Sequence, residues 1–365
     1  MGAYITSFGT ALPEYRISQK DIAAFMLKNL GMDNKQKRET EVLFRAAGIH
    51  YRHSVIKDYA CTKGEFEFFP NNKLLEHFPG VSSSRMQVFK KEALILSLEA
   101  ARKCIGDKGV EDFTHLITVS CTGMYAPGLD FDLVKSLGLS HSINRTSINF
   151  MGCYAAFNAM KMANDICTAN SNSKVLIICV ELCSLHFQKG ADFDTLLANA
   201  LFGDGAAGIV VEGKPSKELC LEMEKFHCDL LMEGEQDMTW GIGDFGFEMT
   251  LSSYVPKLIQ KGIKSLIDNL CAELQLRPEH IQHFAIHPGG KKILEVIEQE
   301  LKISKDQNSH AYEVLRNYGN MSSPTILFVL ESLYNGLNKE NRNDNILSMA
   351  FGPGLTLESM ILKVL

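Results

Sequence analysis

Three residues of the 365-residue chain have the types and settings to do chemistry together. Cys153 stands in Asn149-Phe150-Met151-Gly152-Cys153-Tyr154-Ala155-Ala156, a glycine turn leading into a stretch through Ile166 that is apolar nearly all round. Such a stretch reads as a buried helix with Cys153 at its N-terminus. Unsatisfied N–H groups and the positive end of the dipole there favour thiolate, which predicts a lowered pKa and a usable nucleophile. A packed core thiol is the competing reading, and it fits Cys104, Cys167, Cys179 and Cys271 better than Cys153. His287 ends the strand-like run IQHFAI and precedes a Pro-Gly-Gly turn into an amphipathic helix with the stripe Ile293, Leu294, Ile297 and Leu301. Strand ends aimed into a crevice are where open α/β sheets place reactive groups, although a lone histidine is as a rule a satisfied polar residue. Asn320, within YGNMSS, precedes another apolar helical stretch. It reads either as a turn or cap residue, or as a neutral donor that shares a developing oxyanion with His287. A thiolate, an imidazole able to pair with it and two oxyanion donors suffice for covalent acyl transfer.

Elements far apart in the chain must bring these residues together. Short runs rich in β-branched residues alternate with longer segments of helical period, the pattern of an α/β protein, with strands expected to be largely parallel. HLITVS (115–120), INFMGC (148–153) and KVLIICV (174–180) find counterparts in IQHFAI (281–286), YGNMSS (318–323) and DNILSMA (344–350). His115 and Ile281, Cys153 and Ser322, and Lys174 and Asp344 stand 166, 169 and 170 residues apart. A nearly constant shift predicts an internal duplication whose equivalent loops converge. Coincidence between unrelated α/β segments is the alternative. The polar stretch EGKPSK (212–217) is the expected boundary, with halves 1–213 and 214–365. Ser18 and Asp21 form a box-like N-cap before Ile22, Phe25 and Met26, and residues 61 to about 90 read as a long excursion.

Composition narrows the function classes. With 45% hydrophobic and 22% charged residues the chain is of ordinary globular type, and a formal net charge of -6 gives no long-range attraction for polyanions. Nucleic acid is therefore a poor partner. The longest apolar run, Val175 to Val180, is far short of the roughly 20 residues that span a bilayer, and the N-terminus has no secretory pattern. A cytoplasmic protein without a membrane span is expected. Ten cysteines without C-x-x-C pairs or a Cys/His cluster point to reduced, mostly buried thiols and to no metal site.

Taken together, MGCYAA, ALFGDGAAG, HPGG, YGNMSS and FGPGLT, in this order, closely resemble the chalcone and stilbene synthase family, the type III polyketide synthases of the thiolase-like superfamily. The resemblance covers residues from about 90 to 365 and implies a five-layered αβαβα thiolase-like fold in a homodimer. It implies that an acyl-CoA starter is loaded on Cys153 and that malonyl-CoA is decarboxylated with His287 and Asn320 holding the enolate. Attack on the thioester, repeated extension and cyclisation or release follow, without a bound cofactor. By the same resemblance Phe202 and Met249 occupy the two gatekeeper positions, the second usually Phe in the plant enzymes. Trp240 falls where those enzymes carry glycine, so a bulky indole is expected to shorten the room for the growing chain; a half-buried surface anchor is the bland alternative. Cys183, His186 and Ser322 are implied to line the same cavity, with Phe351, Gly352 and Pro353 shaping its wall.

Departures from the family pattern are local. The plant enzymes present Lys/Arg/Lys on an early helix to the CoA phosphates, and the stretch from Glu39 to Ala46 does not reproduce that spacing, although Lys35, Lys37, Arg38 and Arg45 lie nearby. An acyl carrier protein therefore stays open as the donor. Ala126 replaces the methionine that reaches across the dimer interface in the plant enzymes. Three alternatives remain at this level: a ketoacyl-carrier-protein synthase of the third kind, against which HPGG argues; a non-catalytic thiolase-fold partner subunit; and a cysteine hydrolase, since papain-like proteases use the same three residue types.

Overall fold

The structure is a computed structural model that describes residues 2–61, 66–69, 82–190 and 192–365. Its strands are β1 (Tyr4–Ala11), β2 (Tyr15–Ser18), β3 (Tyr51–Ser54), β4 (His115–Ser120), β5 (Asn144–Asn149), β6 (Lys174–Leu182), β7 (Asp204–Glu212), β8 (Leu221–Leu230), β9 (Met238–Gly243), β10 (Gly246–Leu251), β11 (His283–Ile286), β12 (Asn345–Gly352) and β13 (Thr356–Val364). Its α-helices are α1 (Gln19–Asn29), α2 (Asn34–Ala46), α3 (Ser82–Ile105), α4 (Leu129–Leu137), α5 (Ala155–Ala169), α6 (Phe193–Leu201), α7 (Val255–Glu273), α8 (Lys291–Leu301), α9 (Ser309–Tyr318) and α10 (Thr325–Tyr334).

Nine strands pair in the order β11-β12-β13-β8-β1-β7-β6-β4-β5. The two parts join through Tyr4 with Glu222 and Ile5 with Leu221. On one side of that joint the order is β4-β6-β7-β1, and on the other it is β11-β12-β13-β8. The sense of each ladder repeats as well: parallel in β4/β6 and β11/β12, antiparallel in β6/β7 and β12/β13, antiparallel in β7/β1 and β13/β8. The duplication read from the spacing is thus written in the hydrogen bonding. The expectation of a largely parallel sheet is corrected, because antiparallel ladders outnumber parallel ones. The reason is local: β12 reaches β13 through the three-residue turn Pro353–Leu355, and so short a link can only join antiparallel neighbours.

Burial explains the layers. Along β6, Val175, Ile177 and Cys179 pack in the cluster that holds α5 and α10, whereas Leu176, Ile178 and Val180 pack with Phe89, Leu96 and Ala100 of α3. Both faces of the strand are covered, which is why its sequence is a continuous apolar run instead of an alternating one. Helix α7 lies on β8 and β13 of the other part as α3 lies on β1 and β7. Helices α5 and α10 lie between the two parts, completing a thiolase-like αβαβα arrangement. The N-cap at Ser18 forms as expected, its hydroxyl accepting from the Asp21 N–H at 3.1 Å. Residues 82–90, read as part of an excursion, are instead the first turns of α3; within that stretch, 62–65 and 70–81 lie outside the described residues. Between Glu212 and Leu221 the chain forms neither helix nor strand. Among the described residues no helix is long and apolar enough to cross a membrane.

Candidate active site

The chain reaches its reactive cysteine through a backbone that only glycine tolerates. Gly152 has φ +81°, and a Cβ built on it would lie 2.1 Å from Pro353 Cδ. That absence of a side chain lets the turn after β12 close over Cys153, in the 3-10 turn Gly152–Tyr154 ahead of α5. The Gly152 N–H donates to Cys121 Sγ at 3.0 Å, fixing the turn against the end of β4.

Asn320 is placed by its backbone. Its N–H donates to the Leu201 carbonyl and its own carbonyl accepts from the Gly203 N–H, both at 2.9 Å, so it bridges to the segment that carries Phe202. Gly319, at φ +70°, has Leu201 O where a Cβ would stand, 2.8 Å away. The side chain meets the turn-capping reading of the sequence. Oδ1 accepts from the Ser322 N–H at 2.8 Å, the turn-capping role, and lies 4.0 Å from Cys153 Sγ, while Nδ2 lies 3.9 Å from that sulfur and 3.5 Å from the Gly289 carbonyl oxygen. His287 is anchored by its N–H, which donates to the Met349 carbonyl at 2.8 Å. Its ring is wholly buried, and neither ring nitrogen has a hydrogen-bond partner. Leaving such a buried donor without a partner costs roughly 1–3 kcal/mol.

The electrostatics correct one expectation. Burial pushes the Cys153 thiol up to about 11, against the hydrogen bonds from Ser322 and Asn320 that pull it down, and burial draws the His287 imidazole down to about 3. The helix N-terminus does not prevail, because desolvation of a fully buried sulfur outweighs a dipole of that size. Neither charge is favoured singly in this low-dielectric site.

One continuous cavity holds Cys153, His287, Asn320 and nearly every residue that the resemblance implied. Phe202 lines it beside Asn320, its carbonyl accepting from the Arg52 guanidinium. Trp240 and Met249 are direct cross-strand partners in the β9/β10 hairpin, and both line the cavity. The Trp240 Nε1–H donates to the Cys121 carbonyl at 2.7 Å, and the indole stands edge-on to His186 at 88°. Trp240 is half-buried and lines the cavity at the same time. His186 is stacked on Phe247 at 4.2 Å between ring centroids. Its Nε2 donates to the Thr122 carbonyl at 2.7 Å and its Nδ1 accepts from the Phe247 N–H at 2.9 Å, a neutral tautomer in keeping with a pKa drawn down to about 3 by burial. Cys183, Ser322, Phe351 and Pro353 also line the cavity. Gly352 does not. It lies behind the wall, where a Cβ would come within 2.7 Å of the Tyr154 ring and 3.2 Å of the Cys153 nitrogen.

Sequence reasoning missed the group that ties these loops together. Glu181, wholly buried, accepts from the Cys121 N–H and the Thr122 hydroxyl at 2.8 Å and from the Ser323 hydroxyl at 2.6 Å. Burial raises its pKa despite those donors. Its signal was visible as the one acid in the apolar strand KVLIICVEL. Arg52, which binds Gln19 Oε1 at 2.9 Å and steadies Phe202, carried no such signal.

Comparison with known proteins follows this geometry. The N-terminal domain of chalcone and stilbene synthases matches residues 2–215, and their C-terminal domain matches residues 222–365. The chain is 29% identical over its whole length to the alpha-pyrone synthesis polyketide synthase-like Pks18 of Mycobacterium tuberculosis, covering 91% of that protein. It is 28% identical to probable polyketide synthase 1 of Dictyostelium discoideum, matching over 99% of the chain but spanning only 11% of that much longer protein. Among solved structures, PKS-I from the brown alga Ectocarpus siliculosus superposes with a TM-score of 0.91 at 32% identity, over 100% of this chain and 98% of that one. The C-terminal type III polyketide synthase domain of Steely1 from Dictyostelium gives a TM-score of 0.91 at 28% identity, over 100% and 99% of the two chains.

Proposed function

The chain belongs to the chalcone and stilbene synthase family of type III polyketide synthases, and from that premise we propose that Cys153, His287 and Asn320 carry a decarboxylating condensation of acyl and malonyl thioesters. The observation that carries this reading is the wholly buried His287 ring, unpartnered in the cavity that also holds the Cys153 sulfur and the Asn320 amide. Loading passes the Cys153 proton to His287 as the sulfur attacks the acyl-CoA carbonyl. The C–S bond to coenzyme A breaks, and the departing thiolate recovers a proton. Malonyl-CoA then loses CO2, and the electron pair of the broken C–C bond moves onto the thioester oxygen, where His287 and Asn320 donate. No base is required, since carboxylate departure generates the carbanion. Attack on the Cys153 thioester forms the new C–C bond and frees the cysteine.

In this reading residues 1–213 supply the nucleophile and 214–365 the oxyanion donors. The reaction is an acyl transfer that needs no metal or bound organic cofactor. The protein works in the cytoplasm as a homodimer, for which the edge strand β5, with alternating exposed residues, is available. On incubation with a panel of acyl-CoAs, intact-protein mass spectrometry is expected to show one acyl adduct on Cys153 that is extended and released after malonyl-CoA is added. Adducts from an acyl carrier protein but from no acyl-CoA would move the assignment to a carrier-dependent condensing enzyme.

The chain-length limit is proposed to reside in Trp240. The indole fills the cavity wall between Cys121 and Met249, so Trp240→Gly is expected to shift products toward longer chains by one or more malonyl units, read by mass spectrometry of released polyketides. An unchanged product profile from a folded variant would return Trp240 to a structural role.

A further inference from the structure

The hairpin that brings Trp240 and Met249 to the cavity stands apart from the large sheet: among the described residues β9 and β10 pair only with each other. A two-stranded hairpin is marginal by itself, so where it stands depends on what holds it. On the cavity side it is tied by the Trp240 Nε1–H to the Cys121 carbonyl and by the Phe247 N–H to His186 Nδ1. Its turn is held from a different element.

Ser82, the first residue of α3, makes three hydrogen bonds to that turn. Its N–H donates to the Asp244 carbonyl at 3.0 Å, and its hydroxyl donates to the Gly243 carbonyl at 2.5 Å while accepting from the Gly246 N–H at 3.1 Å. Gly243 and Gly246 are the last cross-strand pair of the hairpin, so one hydroxyl bridges the two strands where they end. Gly246 has φ +111°, and a Cβ built on it would lie 2.8 Å from Arg85 Nη1; the missing side chain lets the turn settle on α3. Ile242, Asp244 and Phe245 around it are exposed.

Arg85 makes this end of α3 a fixed platform. Its buried guanidinium donates from Nη1 to the Leu185 carbonyl and, at 3.1 Å, to the Phe187 carbonyl. These two carbonyls flank His186, and Gln188 Nε2 donates to the Phe247 carbonyl at 3.1 Å. Helix α3, the segment around His186 and the hairpin thus close a circuit of hydrogen bonds behind the cavity wall formed by His186, Trp240 and Met249.

The turn lies three residues beyond Trp240 on one strand and three from Met249 on the other, a lever of about 10 Å. We propose that Ser82 is a positioning residue for product length: by holding the turn it keeps the indole in the cavity, and without it the hairpin swings outward and leaves room for further malonyl units. The assignment rests on the chain-length reading of Trp240 and adds to it the residue that holds the indole in place.

Trp240 is the one tryptophan of the chain, so its fluorescence reports on the hairpin directly. In Ser82→Ala, acrylamide quenching of that fluorescence is expected to increase, and products longer by one or more malonyl units are expected to rise about five- to tenfold relative to the main product, as for the loss of one or two hydrogen bonds. CO2 release from malonyl-CoA is expected to stay within about twofold of wild type, because Ser82 touches none of the groups proposed to hold the enolate. Ser82→Thr, which keeps the hydroxyl, is expected to restore quenching and products together. Wild-type quenching and products in Ser82→Ala, beside longer products from Trp240→Gly in the same assay, would overturn the positioning role and leave the Trp240 reading intact. Increased quenching with unchanged products in both variants would overturn the chain-length reading and the assignment with it. A parallel loss of CO2 release and of resistance to unfolding would make Ser82 a structural residue and overturn the assignment as well.

Discussion

Cys153→Ala is expected to abolish acyl loading and chain extension while malonyl-CoA is still decarboxylated at a rate within about tenfold of wild type, because the donors that take up the enolate charge lie on other elements. His287 hangs from the end of β11 through its bond to the Met349 carbonyl, and Asn320 from its bridge to Phe202; neither is positioned by the sulfur. Loss of the thiol removes one small buried group at a residue already 6% exposed, and the alanine meets no new neighbour. Intact-mass analysis reads the missing adduct, and CO2 release reads the surviving half reaction. Complete loss of both activities in a folded variant would contradict the proposed division of labour.

His287→Ala is expected to act on both halves. Removing an oxyanion donor typically costs 10²–10³ in rate, so decarboxylation should fall by about that factor. The same change takes away the group proposed to accept the Cys153 proton. With burial holding the thiol up at about 11, the sulfur without its partner is almost wholly protonated near neutrality, and labelling of Cys153 by iodoacetamide at pH 7 is expected to slow by about tenfold or more. Equal labelling rates in wild type and variant would show that the thiolate forms without the imidazole. Slow decarboxylation with unchanged labelling would confine His287 to the oxyanion.

How much of this was legible beforehand differs by residue. The strand HLITVS was read with the bounds of β4, and the duplication followed from spacing, because a buried parallel strand must be apolar on both faces and equivalent strands recur at equivalent distances. The sense of the remaining strands was not legible, since an apolar run looks alike in parallel and antiparallel ladders and only the short turn Pro353–Leu355 distinguished them. Gly352 was misplaced by one layer. Glu181 was overlooked because the partners that make its burial tolerable, Thr122 and Ser323, lie 59 and 142 residues away.

By itself the sequence pointed to an α/β protein of two similar parts, singled out Cys153, His287 and Asn320 as candidate reactive residues, and showed which family the chain resembles. These follow from residue types and periods that are local properties of the chain. Tertiary structure alone decided that Asn320 caps its own turn with Oδ1 and that Trp240 is tied to Cys121 across the cavity. It also decided the direction in which burial moves the Cys153 thiol and the His287 imidazole. A helix terminus is visible in a sequence, but desolvation depends on everything packed around the sulfur and the ring, and in this fold that packing comes from both halves of the chain.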